Sequence, residues 1–252
     1  MVAGTIGEDM LGRLPRQNKK QREGLSLLVA TVLDVRSANL MDLAASVPRA
    51  ADRLDLRYPW ISRHQWISRL LGNDLIEVDA VMAPYGRDVL ARLGASGQQI
   101  VLIMDQTQLT ARHQAVMVAA RIGGRALPLS WRIKETKGAI GFAEQRAALE
   151  AVVAVLPAGA KPVLTGDRFY GSPALIAWCR DQGWDWRLRL KQDLLVFEDG
   201  GETTLAECFA RGEHMLTNIE LTAQRVATNT APLHHAAPPH PKSVISRDRV
   251  TA

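Results

Sequence analysis

The residues of this sequence best placed to do chemistry are two aspartates at the ends of two apolar runs. Ile100-Val101-Leu102-Ile103-Met104 ends in Asp105, and Lys161-Pro162-Val163-Leu164-Thr165-Gly166 ends in Asp167. A short apolar run bounded by turn signals reads as a buried strand. A carboxylate at the tip of such a strand is costly to desolvate unless something compensates it. A divalent cation shared by two strand-tip carboxylates is one compensation, and a catalytic one. The plainer alternative is that each acid caps the turn after its strand.

The surrounding pattern says what must hold these acids in place. Residues 1–23 read as a flexible basic lead-in, with Arg13, Arg16, Lys19, Lys20 and Arg22. Segments 24–57 and 60–95 read as helical, and Leu25, Leu28, Val29, Val32 and Leu33 repeat at three- and four-residue spacing as one apolar face. A Gly-Ala-Ser-Gly stretch, 94–97, closes this helical block, 24–97. From residue 98 the pattern turns to α/β. Ala115–Arg121 and Arg125–Ile133 read as two strands of a hairpin closed by Gly123-Gly124. Gly141–Leu156 reads as a helix stopped by Pro157. Ser172 is a good N-cap with Pro173 at the first helical position, and Gly183 closes that helix. Trp186–Lys191 reads as a strand with Arg187, Arg189 and Lys191 on one face and Leu188 and Leu190 on the other. The order is three strands, helix, strand, helix, strand.

Composition narrows the class of partner. The 252 residues carry a formal charge of +5, which favours a polyanionic partner. Residues 100–193 hold thirteen Lys and Arg against eight Asp and Glu, so the excess lies with the paired aspartates. The two cysteines, Cys179 and Cys208, form no zinc or CxxC pattern, which points to a reducing compartment. No apolar stretch approaches the ~20 residues of a membrane span, and a cytoplasmic protein is expected.

Three segments carry a resemblance. Met104-Asp105-Gln106-Thr107-Gln108-Leu109, Leu164-Thr165-Gly166-Asp167-Arg168-Phe169-Tyr170-Gly171 and Trp184-Asp185-Trp186-Arg187-Leu188-Arg189-Leu190-Lys191 resemble two acidic motifs and the adjoining basic strand of the insertion-sequence-four family of bacterial DDE transposases. The resemblance covers roughly residues 25–225. It implies an RNase H-like mixed sheet with flanking helices, preceded by a helical DNA-binding block, with the core over 98–193 and part of a β-rich insertion over 194–225. It implies Asp105 and Asp167 as catalytic ligands of Mg²⁺ or Mn²⁺, with Asp105 bridging two ions and Asp167 binding one. It further implies double-stranded DNA as partner, contacted by Arg168, Arg187, Arg189 and Lys191, a homodimer on DNA, and a place on the bacterial nucleoid. Read without the resemblance, the three strand cations are a solvated face, and Trp60 and Trp66, set among Arg57, Arg63, His64 and Arg69, are core residues before they are base-stacking groups.

The sequence departs from the family at the third acid, a glutamate set in a Tyr-Arg-Glu-Lys signature. No such signature occurs after Asp167. Glu198, Glu202, Glu207, Glu213 and Glu220 all lie where the family inserts β structure. Residues 226–252 are rich in proline and without apolar period, and read as a disordered, aberrant tail such as a frameshift produces. His234, His235 and His240 within it read as an accident of composition rather than as a metal cluster. His113 reads as a turn residue and Cys179 as inert core. The sequence supports two functions: a transposase, in a defective copy, and a DNA-binding remnant that does not cut. A stand-alone RNase H-like nuclease is the third, disfavoured by the helical block.

Overall fold

The computed structural model describes residues 2–49, 59–97, 99–189, 195–198, 201–210, 219–221, 226–228, 233–235 and 243–246. The chain divides into two compact units, residues 1–85 and 86–252.

The first unit is helical. Its helices are α1 (Val2–Arg13), α2 (Lys19–Val35), α3 (Leu40–Ser46) and α4 (Pro59–Leu71), and then the start of α5 (Val78–Ala95). The lead-in read as flexible thus holds α1 and the first turn of α2. The missed signal is at Asn18. Its side chain accepts from the Gln21 amide while the Gln21 side chain accepts from the Asn18 amide, a reciprocal cap that starts α2 ahead of its apolar run. The segment expected to be helical over 24–57 breaks after Val35, where Arg36 turns left-handed at φ 55° and Asn39 caps α3. The apolar face of α2 also differs from the expected one. Leu28 is buried with Gln21, Gly24 and Thr31, whereas Val29 and Leu33 are exposed. Leu28, Leu43, Ala44, Val47 and Ile67 make the core, and Trp66 packs against it. The Arg49 guanidinium lies 4.9 Å from the centre of the Trp66 ring. Trp60 is exposed, and Arg57 lies outside the described residues.

The second unit is mixed α/β. Its main sheet contains β1 (Val101–Gln108), β2 (His113–Ile122) and β3 (Arg125–Glu135), then α6 (Phe142–Val153), β4 (Val163–Gly166), α7 (Pro173–Asp181) and β5 (Asp185–Arg189). The order is β5-β4-β1-β2-β3, with β1, β2 and β3 antiparallel and β4 and β5 parallel to β1. The hairpin turn is where the two glycines placed it. Gly123 sits at φ +57°, a conformation only glycine adopts without strain. The Ser172 cap of α7 is also present, its side chain accepting from the Leu175 amide.

Both helices bury one face against the sheet. Leu149 and Val152 of α6 and Leu175, Ile176 and Cys179 of α7 are fully or almost fully buried, as are Leu102, Val118, Leu164, Trp186 and Leu188 of the strands. Arg132 donates to the Ala147 carbonyl at 2.9 Å and Lys134 pairs with Glu144, so β3 ties down the first turns of α6. Burial pushes the Cys179 thiol up to about 12, in keeping with an inert core residue.

Four further strands and a helix come next: β6 (Leu195–Glu198), β7 (Gly201–Thr204), α8 (Leu205–Ala210), β8 (Ile219–Leu221) and β9 (Val226–Thr228). The strands form a second sheet, ordered β7-β6-β8-β9. In the tail read as disordered, β10 (Leu233–His235) and β11 (Ser243–Ser246) are described as strands, β11 pairing antiparallel with β5. The physical reason lies in β5, which would otherwise leave one row of backbone groups as an open edge. No helix among the described residues is long and apolar enough by itself to cross a membrane.

Candidate active site

The two acids of the sequence motifs meet at one end of the main sheet. In β1 and β4 the registered pairs are Leu102 with Leu164, Ile103 with Thr165 and Met104 with Gly166. Asp105 is the next residue of β1, which runs on to Gln108 in its hairpin with β2, so Asp105 lies within the strand, opposite Met117, and not at the tip expected of it, while Asp167 is the first residue past β4. Neighbouring strands lie about 4.8 Å apart, so the two backbones are adjacent at these positions. β5 extends the row. Thr165 is registered with Arg187 and Gly166 with Leu188, which brings Arg189 opposite Asp167. One row across three neighbouring strands thus holds Asp105 in the middle of β1, Asp167 just past β4 and Arg189 at the end of β5.

The pleat explains why these side chains leave the core. Leu102 and Met104 are buried on one face, while Asp105, two residues from Ile103, is exposed on the other. On β5, Trp186 and Leu188 are buried and Arg187 and Arg189 exposed, the alternation expected of a half-buried strand. Arg168 is exposed beside Asp167. Lys191 lies outside the described residues.

Each carboxylate has one oxygen fixed by its own backbone. Asp105 Oδ1 accepts from the Gln106 amide at 2.8 Å, and Asp167 Oδ1 accepts from the Phe169 amide at 2.9 Å. The second is the turn-capping geometry that the sequence also allowed. It does not preclude metal binding, because a carboxylate has further lone pairs on its other oxygen.

Two residues that lie inside the motifs, and to which sequence reasoning gave no role, support the pair. The first is Gln106. Its Oε1 accepts from the Ile140 amide at 2.7 Å, and its Nε2 donates to the Gly138 carbonyl at 3.2 Å and to Gln114 Oε1 at 3.4 Å. This amide joins the strand of Asp105 to the segment that leads into α6. Gln106→Leu is expected to destabilise the unit by roughly 1–3 kcal/mol, because the part-buried Ile140 amide loses its partner. Urea denaturation measures the loss, and faster hydrogen exchange at the Ile140 amide localises it.

The second is Tyr170. It is 2% exposed. A Cβ added at Gly166 would meet the Tyr170 Cβ and Cδ2 at 3.0 Å, so the missing side chain of Gly166 makes room for the ring. The signal in the sequence is the spacing Gly-Asp-x-x-Tyr, which a single chain turn folds back on itself. The Tyr170 amide donates to the Asp167 carbonyl at 3.1 Å, and the Ser172 amide to the Tyr170 carbonyl at 2.7 Å. Burial, and then the negative charges of Asp105 and Asp167, push the Tyr170 phenol well above its usual range.

The other acids considered from sequence are not gathered here as a set. Among the described residues no group of three or more His, Cys, Asp and Glu side chains is arranged to hold a metal ion. Glu207 instead accepts from Thr203 Oγ1 and the Thr204 amide, both at 2.9 Å, and Glu202 is exposed in β7. Glu213 and His240 lie outside the described residues. His113 opens β2, with Nδ1 3.0 Å from Thr110 Oγ1.

The residues present fit a hard, hydrated divalent cation better than a soft one. The donors are carboxylate oxygens, each with one oxygen free of its backbone bond. A scan against known protein families finds no match, and neither does a search of curated proteins.

Proposed function

We propose that this chain is a metal-dependent DNA transposase of the DDE type, RNase H-like in its second unit, with double-stranded DNA as its partner. The observation that carries the proposal is the register of β1 and β4, which sets the acids of two separate sequence motifs side by side. The strand order β5-β4-β1-β2-β3, with β1–β3 antiparallel and β4 and β5 parallel to β1, supports an RNase H-like reading, and so do helices α6 and α7 between the later strands.

Asp105 and Asp167 would hold Mg²⁺ or Mn²⁺ through the oxygens their backbone bonds leave over. The ion, when bound, supplies Lewis-acid polarisation of a phosphodiester and a more acidic attacking water. The chain's own part is to position. The backbone bonds from Gln106 and Phe169 restrict each carboxylate to one orientation, which lowers the entropy cost of ligation. Arg168, Arg187, Arg189 and Lys191 would contact phosphates, which orient a duplex without reading its sequence.

A second reading is a DNA-binding protein that does not cut. It is favoured by the bond from the Phe169 amide to Asp167 Oδ1, the geometry of a carboxylate that caps a turn. Strand cleavage of terminal-repeat DNA with Mg²⁺ or Mn²⁺ separates the two. The expected outcome is weak cleavage by this chain, lost in Asp167→Asn, with retained binding.

Binding has its own test. Alanine at Arg187, Arg189 and Lys191 together is expected to lower the slope of log affinity against log salt by about 2 to 3, at about 0.9 per lost phosphate contact. A slope unchanged from the wild type would remove this strand from the interface.

A further inference from the structure

The main sheet ends at β3, a strand of 11 residues. Among the described residues no strand pairs with its outer side. Its register with β2 says which backbone groups face outward. Ile122 is paired with Arg125 across the Gly123-Gly124 turn, and the Thr136 amide donates to the Arg112 carbonyl. The backbone groups of Arg125, Leu127, Arg132 and Lys134 therefore point at β2, since the direction alternates along an antiparallel pair. The bulge that skips Leu129 keeps Ser130 in the same set. The groups of Ala126, Trp131, Ile133 and Glu135 and the Pro128 carbonyl point away from β2. Pro128 thus sits where its missing N–H breaks no bond within the sheet.

The side chains of this outward set share one face. Met117 is paired with both Trp131 and Asp105, so it is the face that carries Asp105. An open edge is ordinarily guarded by charges. The two cations in the second half of β3 do not serve that end, because Arg132 donates to the Ala147 carbonyl and Lys134 pairs with Glu144, both on α6. Left on the outward face are the half-buried Trp131 and Ile133, which is 56% exposed.

A second copy fits this edge. Placed antiparallel about a two-fold axis at Trp131, it sets Trp131 against Trp131 of the partner subunit, Ile133 against the partner's Pro128 and Glu135 against the partner's Ala126. No like charges meet. Lys134 lies across from the partner's Leu127, and Arg132 from the partner's Ser130. A slip of two residues, which pairs Trp131 with the partner's Ile133, sets Arg132 directly against the partner's Arg132 and is disfavoured.

We propose that β3 pairs with β3 of a second copy and joins two main sheets into one. The axis stands perpendicular to the sheet. Both copies of Asp105 then face the same side, roughly 24 Å apart at five strand spacings of about 4.8 Å. The interface does not depend on how the acid pair is read.

Sedimentation equilibrium of the full chain tests this, with circular dichroism of the same samples to check folding. The wild type is expected to dimerise at about micromolar concentration. Ile133→Lys changes an exposed side chain, so it is expected to stay folded and to weaken the dimer more than about tenfold. Ala126→Glu sets like charges against the partner's Glu135 at two symmetric places and is expected to weaken the dimer about tenfold. Adding Glu135→Lys to it makes the pairs opposite in charge and restores association. Should Ile133→Lys unfold, the Ala126→Glu series decides alone. A wild type still monomeric at about 100 µM overturns the proposal. So does a dimer that either folded single variant leaves intact, and so does a loss in Ala126→Glu that the double variant does not recover.

Discussion

Asp167→Asn should cost this chain more than about a hundredfold in Mn²⁺ affinity, since losing a direct ligand ought to exceed the 10–100-fold cost of losing an outer-shell partner. The substitution is chosen because it separates the two roles of the side chain. Asparagine keeps an oxygen that can accept from the Phe169 amide, the bond Asp167 Oδ1 now makes, so the turn survives. What it removes is the charge. If Asp167 is only a turn cap, Asp167→Asn changes neither stability nor metal affinity, and Asp167→Ala costs about 1 kcal/mol for the lost bond. If it is a ligand, the two variants lose Mn²⁺ alike. Asp105→Asn gives the parallel test, since its amide oxygen can still accept from the Gln106 amide. Calorimetric titration with Mn²⁺ and urea denaturation of the same samples read both quantities. Affinity preserved in both asparagine variants would sink the catalytic reading of the pair.

The second large effect is on the scaffold. Leu164→Ala is expected to destabilise the second unit by roughly 2–5 kcal/mol. Leu164 is 0% exposed and is registered between Leu102 of β1, also 0% exposed, and Trp186 of β5, 2% exposed. Removing its branched side chain leaves a cavity at the centre of the sheet, where both neighbours are held in register by ladder bonds and cannot close over it. The loss is a large share of the roughly 5–15 kcal/mol typical of a domain. It is measured as a lower urea midpoint, with unchanged slope if the unit still unfolds in one step. Because β4 carries Asp167 at its end, metal affinity near the midpoint should fall with the folded fraction. A loss below about 1 kcal/mol, well under the usual cost of such a truncation, would mean that the core around Leu164 repacks, contrary to the central place assigned to it.

The local signals in this sequence were strong where a short segment decides its own shape. Gly123-Gly124 marks the β2–β3 turn because the backbone there needs a positive φ. Ser172-Pro173 marks the start of α7, and the alternation through Trp186-Arg187-Leu188-Arg189 marks both faces of β5. Asp167 at the end of β4 was legible for the same reason, since an apolar run ending in a charge is a local pattern, but the same pattern misplaced Asp105, which lies within β1 because the hairpin with β2 carries that strand on to Gln108.

What the sequence did not contain was the arrangement of elements relative to one another. The expected face of α2 included Val29 and Leu33, but the packing of α3 and α4 selects the stripe through Gly24, Leu28 and Thr31. Periodicity defines a face only to within about a third of a turn, and the partner helices choose within it. The register of β1 against β4, which brings Asp105 beside Asp167 and Arg189 next in the row, joins residues some sixty positions apart. No local rule sets that register; the burial of Leu102 on Leu164 does, because a slip of one residue would turn each apolar side chain to the wrong face. Tyr170 is the clearest case. Its identity and its spacing from Gly166 were written in the chain, but its burial against the glycine exists only once β4, β5 and the turn after β4 have come together.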